Sequence, residues 1–197
     1  DYARLKIIYD NGGIYLDTDV ELIKPLDLLC KDKCYFGEET IGYVNTGLGF
    51  GAEKNNYVIR KLLDEYNGCH FKKENGMYDM EPCPVKNTRP LAGFGYEFSG
   101  KNIWRCEKFV VYPPEYFCPL DYNTKLMNVT VNTISIHLYN ASWHTWLDRV
   151  ILVIEGKKKN GIVFKIRRAV SLPFRVINKI IKNGLSNTVR FVIGKKS

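Results

Sequence analysis

The 197-residue sequence predicts an α/β domain followed by a basic helical tail. Three observations carry this expectation. A helical opening stops at Asn11-Gly12-Gly13, a second amphipathic helical stripe follows Asn55, and short strand-like apolar runs bounded by turn residues lie at 14–16, 20–23, 110–112 and 133–137. With 45% hydrophobic and 25% charged residues, neither a disordered chain nor a collagen-like repeat fits. The longest uninterrupted apolar run, Val150 to Ile154, is far too short to span a bilayer as a helix.

The elements follow in order. Ala3, Ile7 and Ile8 recur on helical spacing, and the Gly12-Gly13 pair supplies the stop. Ile14-Tyr15-Leu16 then reads as a strand that delivers Asp17-Thr18-Asp19 at its end, and Val20 to Ile23 alternates as a second strand that breaks at Pro25. Gly47, Gly49 and Gly51 alternate with Leu48, Phe50 and Ala52, the pattern of a strand closely approached by a backbone or a ligand. Asn55 is read as the cap of a helix whose Val58, Ile59, Leu62, Leu63 and Tyr66 face the core. Residues 68–84 read as a long polar loop, Val110 to Tyr112 as a strand closed by Pro113-Pro114, and Thr133 to His137 as the last strand.

Charge is polarised along the chain. Residues 149–197 carry 13 Lys+Arg against the single acid Glu155, a net +12, whereas residues 1–148 carry 16 basic against 20 acidic side chains, a net −4. Domain limits are therefore expected at 1–148 and 149–197. The tail interleaves Val163, Phe164, Ile166, Val170, Ile177 and Ile181 with Lys165, Arg167, Arg168, Arg175 and Lys179, a mixture suited to interfacial helices on an anionic membrane surface, with Pro173 dividing them. No aromatic-interleaved motif accompanies these charges, so a nucleic-acid partner is not expected. Six cysteines lack the paired spacing of a zinc site and read as small hydrophobes, and the two sequons at Asn128 and Asn140 hint only weakly at a secretory lumen.

Two carboxylates at i and i+2, where a strand opens into a turn, suit a hard divalent cation, Mn²⁺ or Mg²⁺, shared with phosphate oxygens. Asp17 and Asp19 are thus the candidate catalytic and metal-ligating pair. A haloacid-dehalogenase-like phosphatase also starts from D-x-D at a strand end, but Glu21 stands where that pattern wants Thr or Val, and no later acidic pair follows. A non-catalytic membrane-surface protein, with the tail as its function, is the other alternative.

Asp1-x-x-Arg4, then Tyr9-x-x-Gly12-Gly13-Ile14-Tyr15-x-Asp17-x-Asp19, closely resembles the sugar-binding, D-x-D-containing region of glycosyltransferase family 32. A looser similarity continues through Asn45-Thr46-Gly47, Thr88 to Pro90, and His137 with Ser142-Trp143, so that it covers residues 1 to about 146. The resemblance implies a GT-A fold with a mostly parallel sheet flanked by helices, a nucleotide-sugar donor, a divalent metal, and a retaining transfer to a polysaccharide, oligosaccharide or glycolipid acceptor. It implies donor contacts from Asp1, Arg4, Asn45 and Trp143, and His137 as a further metal or phosphate ligand. Arg89 departs from the family's Thr-Gly-Pro, where glycine occupies the middle position. The resemblance also implies an earlier βα portion holding the nucleotide base, which this chain lacks, so a fragment starting at Asp1 is expected and the fragment alone is expected to be weakly active at best. The expected location is the cytoplasmic face of a bacterial membrane, with a Golgi lumen as the alternative.

Overall fold

The computed structural model describes residues 1–72, 76–97, 102–122, 124–139, 146–155 and 162–183. The chain divides into two compact units, Asp1–Asn140 and Ala141–Ser197.

Helix α1 spans Tyr2–Asn11 and buries Leu5 and Ile8, not the Ala3–Ile7–Ile8 stripe expected from spacing. Leu5 and Ile8 are one turn apart, and Ala3 and Ile7 lie on the exposed side. This rotation sets Arg4 beside the buried face. The helix ends where Gly12 turns to φ 73° and donates its N–H to the Ile8 carbonyl at 2.8 Å. A Cβ at Gly12 would lie 2.8 Å from the Lys54 backbone nitrogen, so glycine answers both the turn and the approach.

Strands β1 (Gly13–Tyr15), β2 (Val20–Leu22), β3 (Cys34–Thr40), β4 (Tyr43–Val44) and β5 (Phe50–Ala52) follow. Helices α2 (Tyr57–Asp64) and α3 (Cys83–Ala92) precede β6 (Trp104–Arg105), β7 (Val110–Tyr112), the short helix α4 (Pro114–Phe117) and β8 (Ser135–His137). The main sheet runs β1-β5-β3-β7-β6, with β4 added beside β3, and β2 pairs separately with β8. The expected mostly parallel sheet is corrected here: among the described strands only β3 and β7 run parallel, and every other pairing is antiparallel. The connections explain why. Ile41-Gly42 and the Cys106–Phe109 link are too short for anything but a reversal, whereas β3 reaches β7 only after a long crossover that includes α2 and α3.

Strand β3 is the centre of the sheet, and both its faces are covered. Cys34 and Phe36 join Leu5, Ile8 and the α2 residues Val58, Ile59 and Leu62 on one side; Tyr35 joins Leu48, Val110, Tyr112 and Phe117 on the other. The cap of α2 is Asn56 rather than Asn55: the Asn56 side chain accepts from the Val58 N–H at 2.9 Å, while Asn55 takes the left-handed conformation, φ 59°. The glycine-alternating run forms a strand only over Phe50–Ala52, because Gly49 sits at φ 138° and residues 46–48 turn. Residues 68–72 and 76–82 form a loop with one bridge, Lys72 to Tyr78.

Thr88 and Arg89 lie on α3. Thr88 Oγ1 accepts from the Val44 N–H at 2.9 Å and donates to the Pro84 carbonyl at 2.7 Å, tying α3 to β4. Arg89 points outward to Glu65, at 2.7 Å, and to Glu81, so a long side chain is accommodated at this position. Glu38, on β3, is buried; it accepts from the Tyr96 hydroxyl and from the Gly42 N–H at 3.1 Å, which fixes the β3–β4 turn. Burial raises its carboxyl above the usual range.

The second unit contains α5 (Trp146–Glu155), α6 (Ile162–Val170) and α7 (Leu172–Asn183). The Ser171 hydroxyl donates to Glu155 at 2.6 Å, and Arg175 lies 3.4 Å from the same carboxylate. Leu147 is buried, whereas Ile162, Val163, Ile166, Val170, Leu172, Ile177 and Ile181 are exposed. Among the described residues no helix is long and apolar enough to cross a membrane. None of the six cysteines, all described, is in a disulfide; Cys34 and Cys118 are buried and Cys30 and Cys69 exposed.

Candidate functional site

The site is assembled by two short pieces of sheet. Strand β1 pairs with β5, and the Asp17 N–H continues that pairing by donating to the Gly47 carbonyl at 3.2 Å. Asp17 then turns the chain: its carbonyl accepts from the Val20 N–H at 3.1 Å, which starts β2. Strand β2 meets β8 with Val20 opposite His137, and the Leu138 N–H donates to the Asp19 carbonyl at 2.9 Å. Two carboxylates two residues apart are thereby brought to a histidine more than a hundred residues further along.

Asp17, Asp19 and His137 each offer one ligand atom within 4.8 Å of the others. His137 Nε2 lies 3.3 Å from Asp19 Oδ1, and both side chains are only 10% exposed. The other ring nitrogen, Nδ1, is buried with no hydrogen-bond partner among the described residues. Two carboxylates and an imidazole on rigid strand ends fit a divalent cation, with Nε2, the ring nitrogen that faces Asp19, as the histidine's ligand atom.

Around this cluster Asp17 is held from two sides. The Tyr15 hydroxyl donates to its Oδ1 at 2.8 Å, and Arg4 Nη1 lies 3.5 Å from the same oxygen. Burial, and then the bond to Asp17, raise the Tyr15 phenol above its ordinary range. The Arg4 guanidinium also packs over the Tyr15 ring, 5.1 Å from its centre, and lies 3.2 Å from Asp1. Four of the expected positions, Asp1, Arg4, Asp17 and Asp19, are thus linked with His137 through direct contacts or the shared ligand cluster.

Asn45 stands at the edge of the cluster. Its side-chain oxygen accepts from the Gly47 N–H at 2.7 Å and its amide donates to Glu39 at 3.0 Å, so both polar ends are engaged within the protein. In this structure it acts on the site by positioning its neighbours. Trp143, with Ser142 and Asn140, lies outside the described residues.

Sequence reasoning passed over Gly47 as part of the carboxylate site, and over Glu39 and Tyr139 altogether. Tyr139 lies just past the end of β8, and its ring and that of His137 are 4.3 Å apart, edge to face. Its hydroxyl donates to Glu39 at 3.1 Å and lies 2.9 Å from Cys118 Sγ. No local pattern marked Glu39.

The Asp17–Asp19–His137 group could hold a divalent cation, and comparison with known proteins finds likeness to glycosyltransferases. Residues 1–36 match the family described as "Glycosyltransferase sugar-binding region containing DXD motif". Over 186 residues the chain is 25% identical to "Inositol phosphoceramide mannosyltransferase 1" from Schizosaccharomyces pombe, covering 92% of this chain and 52% of that protein. The chain spans about half the length of this curated relative. These two findings support a glycosyltransferase family 32-like assignment. No solved structure matches the chain.

Proposed function

We propose that the protein carrying this chain is a metal-dependent, retaining glycosyltransferase that moves a hexosyl group from a nucleotide-sugar to a hydroxyl of a glycan or lipid-linked acceptor. The observation that carries the reading is the Asp17–Asp19–His137 cluster with Arg4 against its edge. Asp17, Asp19 and His137 would hold the cation, and the imidazole in the set favours Mn²⁺ over Mg²⁺. When bound, the cation would supply counter-charge for a diphosphate leaving group. Arg4 adds a second fixed positive charge on the same side, and Tyr15 keeps Asp17 from rotating away. Since the relative is named a mannosyltransferase, a mannosyl nucleotide is the first donor to test. In the full-length protein, sugar release from that donor should require Mn²⁺, stop with EDTA and return when Mn²⁺ is restored in excess. Turnover that is indifferent to EDTA, or phosphate release from simple phosphomonoesters without sugar transfer, would overturn the reading.

The second unit supplies a partner to the same reading. We infer that residues 149–197, with their net charge of +12, bind anionic membrane and bring the enzyme to a lipid-linked acceptor. The exposed Ile162, Val163, Ile166, Val170, Ile177 and Ile181 supply the apolar contact, and each basic residue near the surface adds about 1 kcal/mol at moderate salt. Vesicle sedimentation should show binding that needs anionic lipid, weakens in high salt and disappears when residues 149–197 are deleted. A deleted protein that still pellets, or an intact one that ignores the vesicles, would remove the tail from the function.

A further inference from the structure

A cleft of about 830 Å³ is walled by Glu39, Tyr43, Pro84, Asp121, Tyr122 and Tyr139, among others. Two of its lining residues, Glu39 and Tyr139, connect it to the carboxylate cluster. Glu39 is held by Asn45, which is held by the Gly47 N–H beside Asp17, and Tyr139, which also holds Glu39, packs its ring on His137. A ligand in the cleft therefore touches Tyr139, whose ring packs directly on His137, and Glu39, which connects to Asp17 through Asn45 and Gly47.

The chemistry of the wall separates the two substrates. Its described lining includes the carboxylates Glu39 and Asp121 and no Lys or Arg. A donor diphosphate would meet like charge here, whereas Arg4 and a cation await it at the cluster. Lys125 lies over the rings of Tyr122 and Tyr139, at 4.5 and 5.7 Å from their centres, and is not among the lining residues. What remains is a surface of tyrosine rings and prolines with carboxylate acceptors. Such a surface suits a ring polyol, whose C–H faces lie on aromatic rings and whose hydroxyls donate to carboxylates.

We propose that this cleft is the acceptor site, that it takes an uncharged ring polyol such as a sugar or cyclitol, and that Glu39 accepts a hydrogen bond from one of the polyol's hydroxyls. The inference rests on the transferase reading for its biological sense, but not for its test. Glu39 is built for this role. Its Oε2 is fixed by Asn45 and its Oε1 by Tyr139, and each oxygen keeps a lone pair for a ligand. Tyr139 takes the left-handed backbone at φ 53°, a conformation uncommon for a bulky residue, which holds the ring between His137 and Glu39.

Ligand-detected NMR on the full chain without donor is the direct test, with methyl α-mannopyranoside and myo-inositol as neutral probes and inositol 1-phosphate as the anionic one. The neutral probes should bind the wild type, and the anionic probe should bind more weakly. Glu39→Gln, which keeps the shape but not the charge, should weaken neutral-probe binding about ten- to a hundredfold, the worth of one hydrogen bond to a charged group. Tyr122→Ala should weaken it as well, and Glu53→Gln, outside this cleft, should not. In transfer assays Glu39→Gln should raise the KM for acceptor while leaving the KM for donor in place. No neutral-probe binding by the wild type, equal binding by Glu39→Gln, or tighter binding of the anionic probe would each overturn the proposal. Polyol binding that follows these rules, in a full-length protein that shows no donor turnover with Mn²⁺ present, would instead count against the transferase reading and leave the cleft as a polyol site.

Discussion

Alanine at Asp17 or Asp19 is expected to lower metal-dependent transfer by about two to three orders of magnitude, the usual cost of removing a charged group aimed at developing transition-state charge. The two variants should differ in kind. Asp19 contacts His137 through its side chain, so Asp19→Ala subtracts one ligand and frees the imidazole, while the Leu138–Asp19 backbone bond that anchors β2 to β8 is untouched. Asp17 is also the partner of Arg4 and Tyr15, so Asp17→Ala releases both side chains and should raise the KM for donor more than Asp19→Ala does. Folding should survive in both, because the Asp17 backbone bonds to Gly47 and Val20 do not involve the carboxylate. Thermal melts by circular dichroism with parallel transfer assays separate the effects. Activity persisting in the double variant with EDTA present would end the metal-assisted interpretation.

The parts of the site that lie close in sequence were the legible ones. Asp1, Arg4, Tyr15, Asp17 and Asp19 fall within one helix–strand–turn, where glycine stops and a short apolar run fix the geometry locally, so spacing alone placed the acidic pair at a strand end. His137 was singled out by its strand and by resemblance, and the β2–β8 register delivers it to Asp19. Strand direction was not legible. Three-residue strands such as β1, β5 and β7 carry no pattern that distinguishes parallel from antiparallel pairing, and the connection lengths that decide it depend on exact strand ends. Glu39 was invisible for a different reason: Glu38 and Glu39 are adjacent and identical, yet one is buried against Tyr96 while the other faces the cleft, a division made by the alternation of β3. Helix phase failed at α1 because Ala3 and Ile7 form an equally regular but exposed set.

Gly47→Ala is expected to cut activity about a hundredfold with little loss of stability, a separation that follows from what surrounds the glycine. A Cβ there would press inside van der Waals contact on Asp17 Oδ2, lie 2.9 Å from Arg4 Nη1 and 3.1 Å from Asn45 Oδ1. The three nearest atoms are all side-chain termini, so the backbone need not move and the added methyl is relieved by rotating the very groups that form the site. No positive φ is involved at this residue, so alanine meets no conformational penalty. Displacing the Asp17 carboxylate by about 1 Å separates it from Tyr15 and Arg4 and misplaces a ligand, an error that costs about two orders of magnitude where reacting groups must be held in register. The signature is a raised requirement for Mn²⁺, measured as the metal concentration giving half-maximal rate, with a thermal midpoint close to that of the wild type. A variant with unaltered activity and metal response would show that Asp17 tolerates the displacement and that its present geometry is not what the reaction uses.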